Sequence, residues 1–293
     1  MTGGSVAPVM VTATTRLHLV IGRPVRHSLS PVIHNAAFEA LGETRVFAAL
    51  EVPAEAVPAL FEAVRRTDGI DGISVTTPCK QSAAAAVDRL SEPADRLRAV
   101  NTVAVSPGGV LVGANTDGEG LVAAVRSLGC DLEGARVLLL GAGGAARAAA
   151  VAMAEARVDS MVVVARRLQA AKEVAELAGG SARAVDGVDE STVADSDLVV
   201  NATVVGMAGG PAPSDVPFDL GGFRPGQWVF DMVYQPLETP LMRRARRAGA
   251  SVSCGLPMLV HQAAAQIRIW TGREAPVGVM TSAAECFLRQ TPR

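Results

Sequence analysis

Along the chain, short apolar runs alternate with longer stretches in which apolar residues recur every three or four positions. The short runs are RLHLVIG (16–22), RVFAALEV (45–52), GISV (72–75), NTVAVS (101–106), VLVGANTDG (110–118), ARVLLL (135–140), SMVVVARR (160–167), SDLVVNAT (196–203) and QWVFDMVY (227–234). Runs of this length, rich in Val, Leu and Ile, predict strands. The longer pattern predicts a helix over SPVIHNAAFEALG (30–42), with Ser30 as its cap, Pro31 at its first position and Gly42 beyond its end. It predicts mainly helix over 53–69, a helix from about 81 to 90, and helix again after residue 118. Residues 135–156 read as strand, glycine turn and helix in succession, and 257–272 and 279–289 close the chain as helices. Strand–helix alternation of this kind builds parallel sheets covered by helices, so the expected fold class is α/β.

At 293 residues, two domains are expected. The expected boundaries are 1–118 for the first, with residues 1–16 as a flexible lead, and 119–256 for a doubly wound second domain. A tail, 257–293, is expected to return to the first domain.

Composition narrows the function classes. Hydrophobic residues make up 49%, charged residues 19% and aromatics 3%, with a formal net charge of −2. Such a chain can bury a large core, and it lacks the basic face and stacking rings of a nucleic-acid binder. The cluster RRARR (243–247) reads as one solvated helix face. No apolar run reaches the length of a membrane span, and the first residues lack the basic and apolar regions of a secretion signal. The four cysteines (79, 130, 254, 286) form no metal or redox spacing, and the four histidines form no ligand motif. The expectation is therefore no metal, a reducing cytoplasmic compartment, and no nucleic-acid or membrane partner. A homodimer is left open.

The glycine turn GAGGAA (141–146) follows an all-apolar strand and opens a helix, the context a dinucleotide site requires. Gly141 permits the tight turn, Gly143 lets backbone approach a pyrophosphate, and Ala146 takes the helix-packing position. The alternative is a small-residue turn made for packing. An NAD site usually ends the next strand with an acid, whereas here it ends Ala165-Arg166-Arg167. Two guanidiniums suit the 2′-phosphate of NADP, unless they merely start a solvated helix.

Rare residues mark further positions. The chain has four asparagines (35, 101, 115, 201) and one tyrosine, Tyr234. Each is expected in a loop or at a strand end, where α/β sheets place polar ligands, with capping or turn formation as the alternative. Only two lysines occur, Lys80 and Lys172, among 27 basic residues. Lys80 follows the strand-like GISV, and a lysine, unlike an arginine, can cycle its proton. Asp117 is the carboxylate expected to face it; a helix cap is the local alternative.

These stretches together resemble the shikimate dehydrogenase family, from about residue 17 onward. The matching segments are IGRPVRHSLSPVIHN, GISVTTPCK, AVNT, GANTDGEG, GAGGAAR, NATVVGM, DMVYQPLETPL and GLPMLVHQAA. The resemblance implies NADPH-dependent, reversible reduction of 3-dehydroshikimate to shikimate, a step of aromatic amino-acid biosynthesis. It implies an N-terminal substrate domain and a Rossmann cofactor domain with a cleft between them. It places the substrate carboxylate on Ser28 and Ser30 and the ring hydroxyls on Thr76, Lys80, Asn101, Asp117, Tyr234 and Gln262. Lys80 and Asp117 match the catalytic pair. Cofactor positions fall on Gly141, Ala142, Gly143, Gly144, Ala145, Arg166, Arg167, Thr203, Met232, Gly255 and Met258, with Glu92 at an acidic position near the nicotinamide. Ser74, Cys79, Arg98, Ala165 and Ile267 depart from the usual pattern, and none touches the implied chemistry. Two rivals remain: an NAD-linked quinate/shikimate or amino-shikimate dehydrogenase of the same fold, and a non-catalytic NADP sensor.

Overall fold

The computed structural model describes residues 11–290, so the first ten residues of the expected lead lie outside the described residues. The chain divides into two compact units. The first runs up to Ala114 and resumes at Gln266; the second spans Asn115–Ala265. Expected boundaries near 118 and 257 thus compare with observed divisions at 115 and 266. The difference has a local cause. Thr116 Oγ1 donates to Gln262 O (3.1 Å), and a Cβ on Gly120 would sit 2.6 Å from Gln262 Cβ. Both segments therefore belong to the second unit.

In the first unit the elements are β1 (Arg16–Gly22), α1 (Ser30–Leu41), β2 (Arg45–Glu51), α2 (Val57–Arg65), β3 (Ile70–Val75), α3 (Lys80–Ala86), β4 (Arg89–Leu90), α4 (Glu92–Leu97), β5 (Thr102–Val105) and β6 (Leu111–Ala114). Their sheet has the order β2-β1-β3-β5-β6-β4, parallel from β2 to β3 and antiparallel across β3, β5 and β6. Its core gathers Ile21, Val57, Phe61, Ile73, Val103 and Leu111, each fully buried.

The second unit contains α5 (Asp117–Ser127), β7 (Arg136–Leu140), α6 (Gly144–Glu155), β8 (Ser160–Val164), α7 (Leu168–Ala178), β9 (Ala182–Val185), α8 (Glu190–Asp195), β10 (Leu198–Asn201), β11 (Trp228–Asp231), α9 (Pro240–Arg247) and β12 (Ser251–Ser253). Helix α10 (Leu256–Thr271) crosses the division, and α11 (Val277–Gln290) ends the described chain, packed on α1 of the first unit. The second sheet is parallel throughout, in the order β12-β11-β10-β7-β8-β9. Numbered from β7, this is the 3-2-1-4-5-6 arrangement of a Rossmann sheet, whose winding reverses between β7 and β10. Strand β7 explains why: Val137 and Leu139 enter one core while Leu138 and Leu140 enter the other, so both faces need helices.

Several local expectations need correction. Ser30 is the first residue of α1 rather than its cap; its N–H is held by Ser28 Oγ at 3.2 Å. Gly42 does close the helix in the left-handed conformation, φ 67°. Asn35 is not in a loop but inside α1. Its side chain accepts from Phe47 N (2.8 Å) and donates to Phe47 O (2.9 Å), clamping β2. The helix expected over 81–90 stops at Ala86, because Asp88 instead bonds Leu111 through both backbone and carboxylate and opens β4. Short elements, α4, α8, β9 and β12 among them, escaped the periodicity altogether. The RRARR cluster does form the exposed face of α9, with Arg244 on Asp219 and Arg246 on Glu238.

Candidate functional site

The candidate residues fall into two sets, one in each unit. In the first unit the carboxyl ends of β1 and β3 lie side by side. Thr76 N donates to Ile21 O (2.9 Å) and Arg23 N to Thr77 O (3.1 Å). Gly22 permits this approach, since a Cβ there would run into Thr76. One turn later, Cys79 anchors the head of α3, buried and donating its S–H to Val52 O. Burial raises its thiol pKa, so the group stays neutral. Lys80 is then the first residue of α3, half-buried.

Backbone bonds bring Lys80 and Asn101 together. Val100 N donates to Lys80 O (3.0 Å), and Val75 N donates to Asn101 O (2.7 Å). Thr102 Oγ1 donates to Asn101 Oδ1 at 2.7 Å, which fixes the orientation of that amide. Ser28 and Ser30 meet at the entry of α1, Ser28 half-buried and Ser30 buried. Glu92 is exposed at the first turn of α4.

In the second unit Asp117 is buried at the first turn of α5, and its N–H is held by Asn115 Oδ1 at 3.1 Å. Asn115 therefore supplies the turn-forming amide, and Asp117 is the first helical residue rather than the cap. The close passage of Gly120 against Gln262 draws Asp117 and Gln262 to one place; Gln262 is buried and donates to Leu259 O (2.9 Å).

The strand ends of the Rossmann sheet carry the other candidates. Gly141 has φ 116°, a conformation open to glycine, and a Cβ there would lie 3.1 Å from Ala202 O. Gly143 and Gly144 are exposed at the head of α6, with open space where a side chain would stand. Ala146 is buried in the core beneath them. A helix start with unobstructed N–H groups is an anion cradle, and the residues present fit a pyrophosphate. Arg166 and Arg167 are both exposed at the end of β8, the place of a ribose-recognition group.

Asn201 proves to be internal. Its amide donates to Asp231 Oδ1 (2.9 Å), and its Oδ1 accepts from Thr203 N (3.0 Å) and Thr203 Oγ1 (2.7 Å). Asp231 also takes Val233 N (3.1 Å) and Thr239 Oγ1 (2.6 Å), so one carboxylate ties the loops after β10 and β11. Burial pushes its pKa up to about 6 against those bonds. The sequence reading passed over Asp231, although an acid ending the apolar run WVF is the available signal. Met232 and Gly255 are pressed together, since a Cβ on Gly255 would collide with Met232 O. Tyr234 follows, half-buried, with burial raising its phenol pKa. Met258, on the first turn of α10, packs against the second unit's core.

Three family models match. One described as the shikimate dehydrogenase substrate binding domain covers residues 20–103, one described as shikimate/quinate 5-dehydrogenase covers 123–206, and a shikimate 5′-dehydrogenase C-terminal domain covers 255–285. A shikimate dehydrogenase (NADP(+)) of Moorella thermoacetica is 43% identical over 280 residues, covering 93% of each chain. Among solved structures, the shikimate 5-dehydrogenase of Thermus thermophilus, in complex with NADP(H) and shikimate, is 38% identical. It covers 93% of this chain and 99% of that one, with a TM-score of 0.82. A quinate dehydrogenase of Corynebacterium glutamicum in complex with NAD is 31% identical, covering 94% and 99%, with a TM-score of 0.84.

Proposed function

The chain belongs to the shikimate dehydrogenase family, and we propose that it catalyses the NADP(H)-dependent interconversion of 3-dehydroshikimate and shikimate. The first unit is the substrate-binding half and the second the cofactor-binding half of this reading, at work in a reducing cytoplasmic compartment. The observation that carries it is the pinning of Lys80 beside Asn101 at the carboxyl ends of the first sheet.

When bound, the nicotinamide cofactor supplies or accepts the hydride. Gly141, Gly143 and Gly144 receive its pyrophosphate, and Arg166 with Arg167 receives the 2′-phosphate by charge and by planar geometry. Ser28 and Ser30 hold the substrate carboxylate. Thr76, Asn101, Tyr234 and Gln262 hold the ring hydroxyls. In the reducing direction the substrate oxygen gains a proton from Lys80 Nζ, and in the oxidising direction Lys80 takes it back. Asp117, the partner of Lys80 in the catalytic pair that the family likeness implies, is assigned to the same substrate hydroxyl. A positioned acid–base group of this kind accelerates the step by about 10²–10⁴-fold.

Absorbance at 340 nm, with shikimate or quinate crossed against NADP or NAD, tests the reading. Turnover confined to shikimate with NADP is expected. Turnover of quinate with NAD alone would replace this reading with its nearest rival, which the likeness to the Corynebacterium enzyme keeps in view. Absence of turnover in all four combinations would leave a nucleotide-binding protein without this chemistry.

A further inference from the structure

Behind Asn101 and Ser30 lies a buried polar chain that the proposed chemistry does not use. Gln266, on α10, is wholly buried, between the apolar Ala265 and Ile267. Its Nε2 donates to Ser74 Oγ (3.1 Å) and to Asn101 O (3.2 Å). Its Oε1 faces His34 Nε2 at 3.1 Å, and the other nitrogen of that ring lies 2.8 Å from Ser30 O. His34 is itself wholly buried and stacks on Phe47, with ring centroids 4.1 Å apart and planes 14° from parallel. The ring is thus held on edge and face.

A primary amide is costly to bury, and an aliphatic side chain would fill the same volume on this helix without that cost. Both hydrogens of the amide are nevertheless engaged, one of them on Asn101 O, and its oxygen faces the His34 ring whose other nitrogen faces Ser30 O. A neutral imidazole has one N–H for two oxygen neighbours, so Ser30 O and Gln266 Oε1 compete for it and the ring reports on both. Buried networks of this kind are rigid when complete.

We propose that Gln266 is a positioning residue for the substrate half of the site. Its amide fixes the Asn101 backbone directly and the Ser30 backbone through His34, keeping the carboxylate-binding and hydroxyl-binding ends in register. The inference rests on reading Ser30 and Asn101 as substrate contacts.

Gln266→Met keeps the length and removes the amide. The expected result is a rise of about fivefold or more in KM for shikimate, with KM for NADP held within about twofold, since only one ligand's site loses its support. Unchanged KM values, or both rising in parallel, would overturn the inference. In the unmutated protein, side-chain amide NMR gives a second measurement that does not depend on the variant folding. Saturating shikimate alone is expected to shift the Gln266 amide and the His34 ring, and NADP alone is not. No shift with shikimate would overturn the inference. Failure of the unmutated enzyme to turn over shikimate would instead defeat the functional reading beneath it.

Discussion

Lysine is so scarce in this chain that Lys80 can be tested almost in isolation. Lys80→Ala is expected to lower kcat by about 10²–10⁴-fold with little change in KM, because a proton source acts in the transition state. Lys80→Arg should fail equally, since a guanidinium keeps its proton. Stopped-flow or steady-state rates at 340 nm decide both; near-normal turnover in either variant would remove Lys80 from the chemistry. Arg166→Ala belongs to the same scale. It should raise KM for NADP about tenfold, leave KM for shikimate unchanged, and blunt the preference over NAD. The sequence made Lys80 legible because rarity and position coincide. It misled on asparagine for the same reason. Asn35 and Asn201 are as rare as Asn101, yet one clamps a strand and the other knots two loops. Asp231 had a signal, an acid closing the apolar run WVF, but Gln266 had none, because a string of letters does not separate a buried polar group from a solvated one.

Among the elements, the expected strand, glycine turn and helix over 135–156 needed only local pattern and matches the structure, with β7 and α6 in that order. The strands of two and three residues, β4 and β12, are defined by the neighbours that pair with them, and no local run announces them. Helix ends are more instructive. Arg98 closes α4 in the left-handed conformation at φ 49°, where glycine carries no Cβ penalty. Its ion pair with Asp95 is largely exposed and contributes little. Arg98→Gly is therefore expected to stabilise the protein by about 0.5–1 kcal/mol after the cost of glycine's freedom in the unfolded chain. A denaturant midpoint that falls would contradict this. At Gly120 the reverse holds. Gly120→Ala would set its Cβ 2.7 Å from Gln262 N, backbone that has no rotamer to yield. The expected loss of about 1–3 kcal/mol appears as a lower Tm, together with reduced kcat from displacement of Asp117 and Gln262.

For the molecule as a whole, acidity should act oppositely on the two units. His18 and His34 in the first unit are held neutral, pushed down to about 3 and about 4, chiefly by burial and for His18 also by Arg45. Below their ordinary value of 6.5 the unfolded chain takes protons that the folded rings refuse, so stability falls between pH 6.5 and about 4. Asp231 in the second unit is raised from 3.8 to about 6, so there the folded state takes the extra proton and gains stability over the same fall. Each unit has one of the two tryptophans, Trp270 in the first and Trp228 in the second. Denaturant titrations of Trp228→Phe, read through Trp270 fluorescence at pH 7 and pH 5, should show the lower midpoint at pH 5; an unchanged or higher one would reject the assignment. The two-part division was visible in the sequence through length and the second run of α/β units, whereas the identity of the buried histidines was not. The discontinuity of the first unit carries a further consequence, for synthesis on the ribosome. Its sheet emerges before the second unit, but α11, Gln266 and Trp270 are made only after that unit, which is one uninterrupted segment. The half begun first is thus the half finished last, and a nascent chain halted at Ala265 should protect 115–265 from protease while leaving the earlier residues open to cleavage.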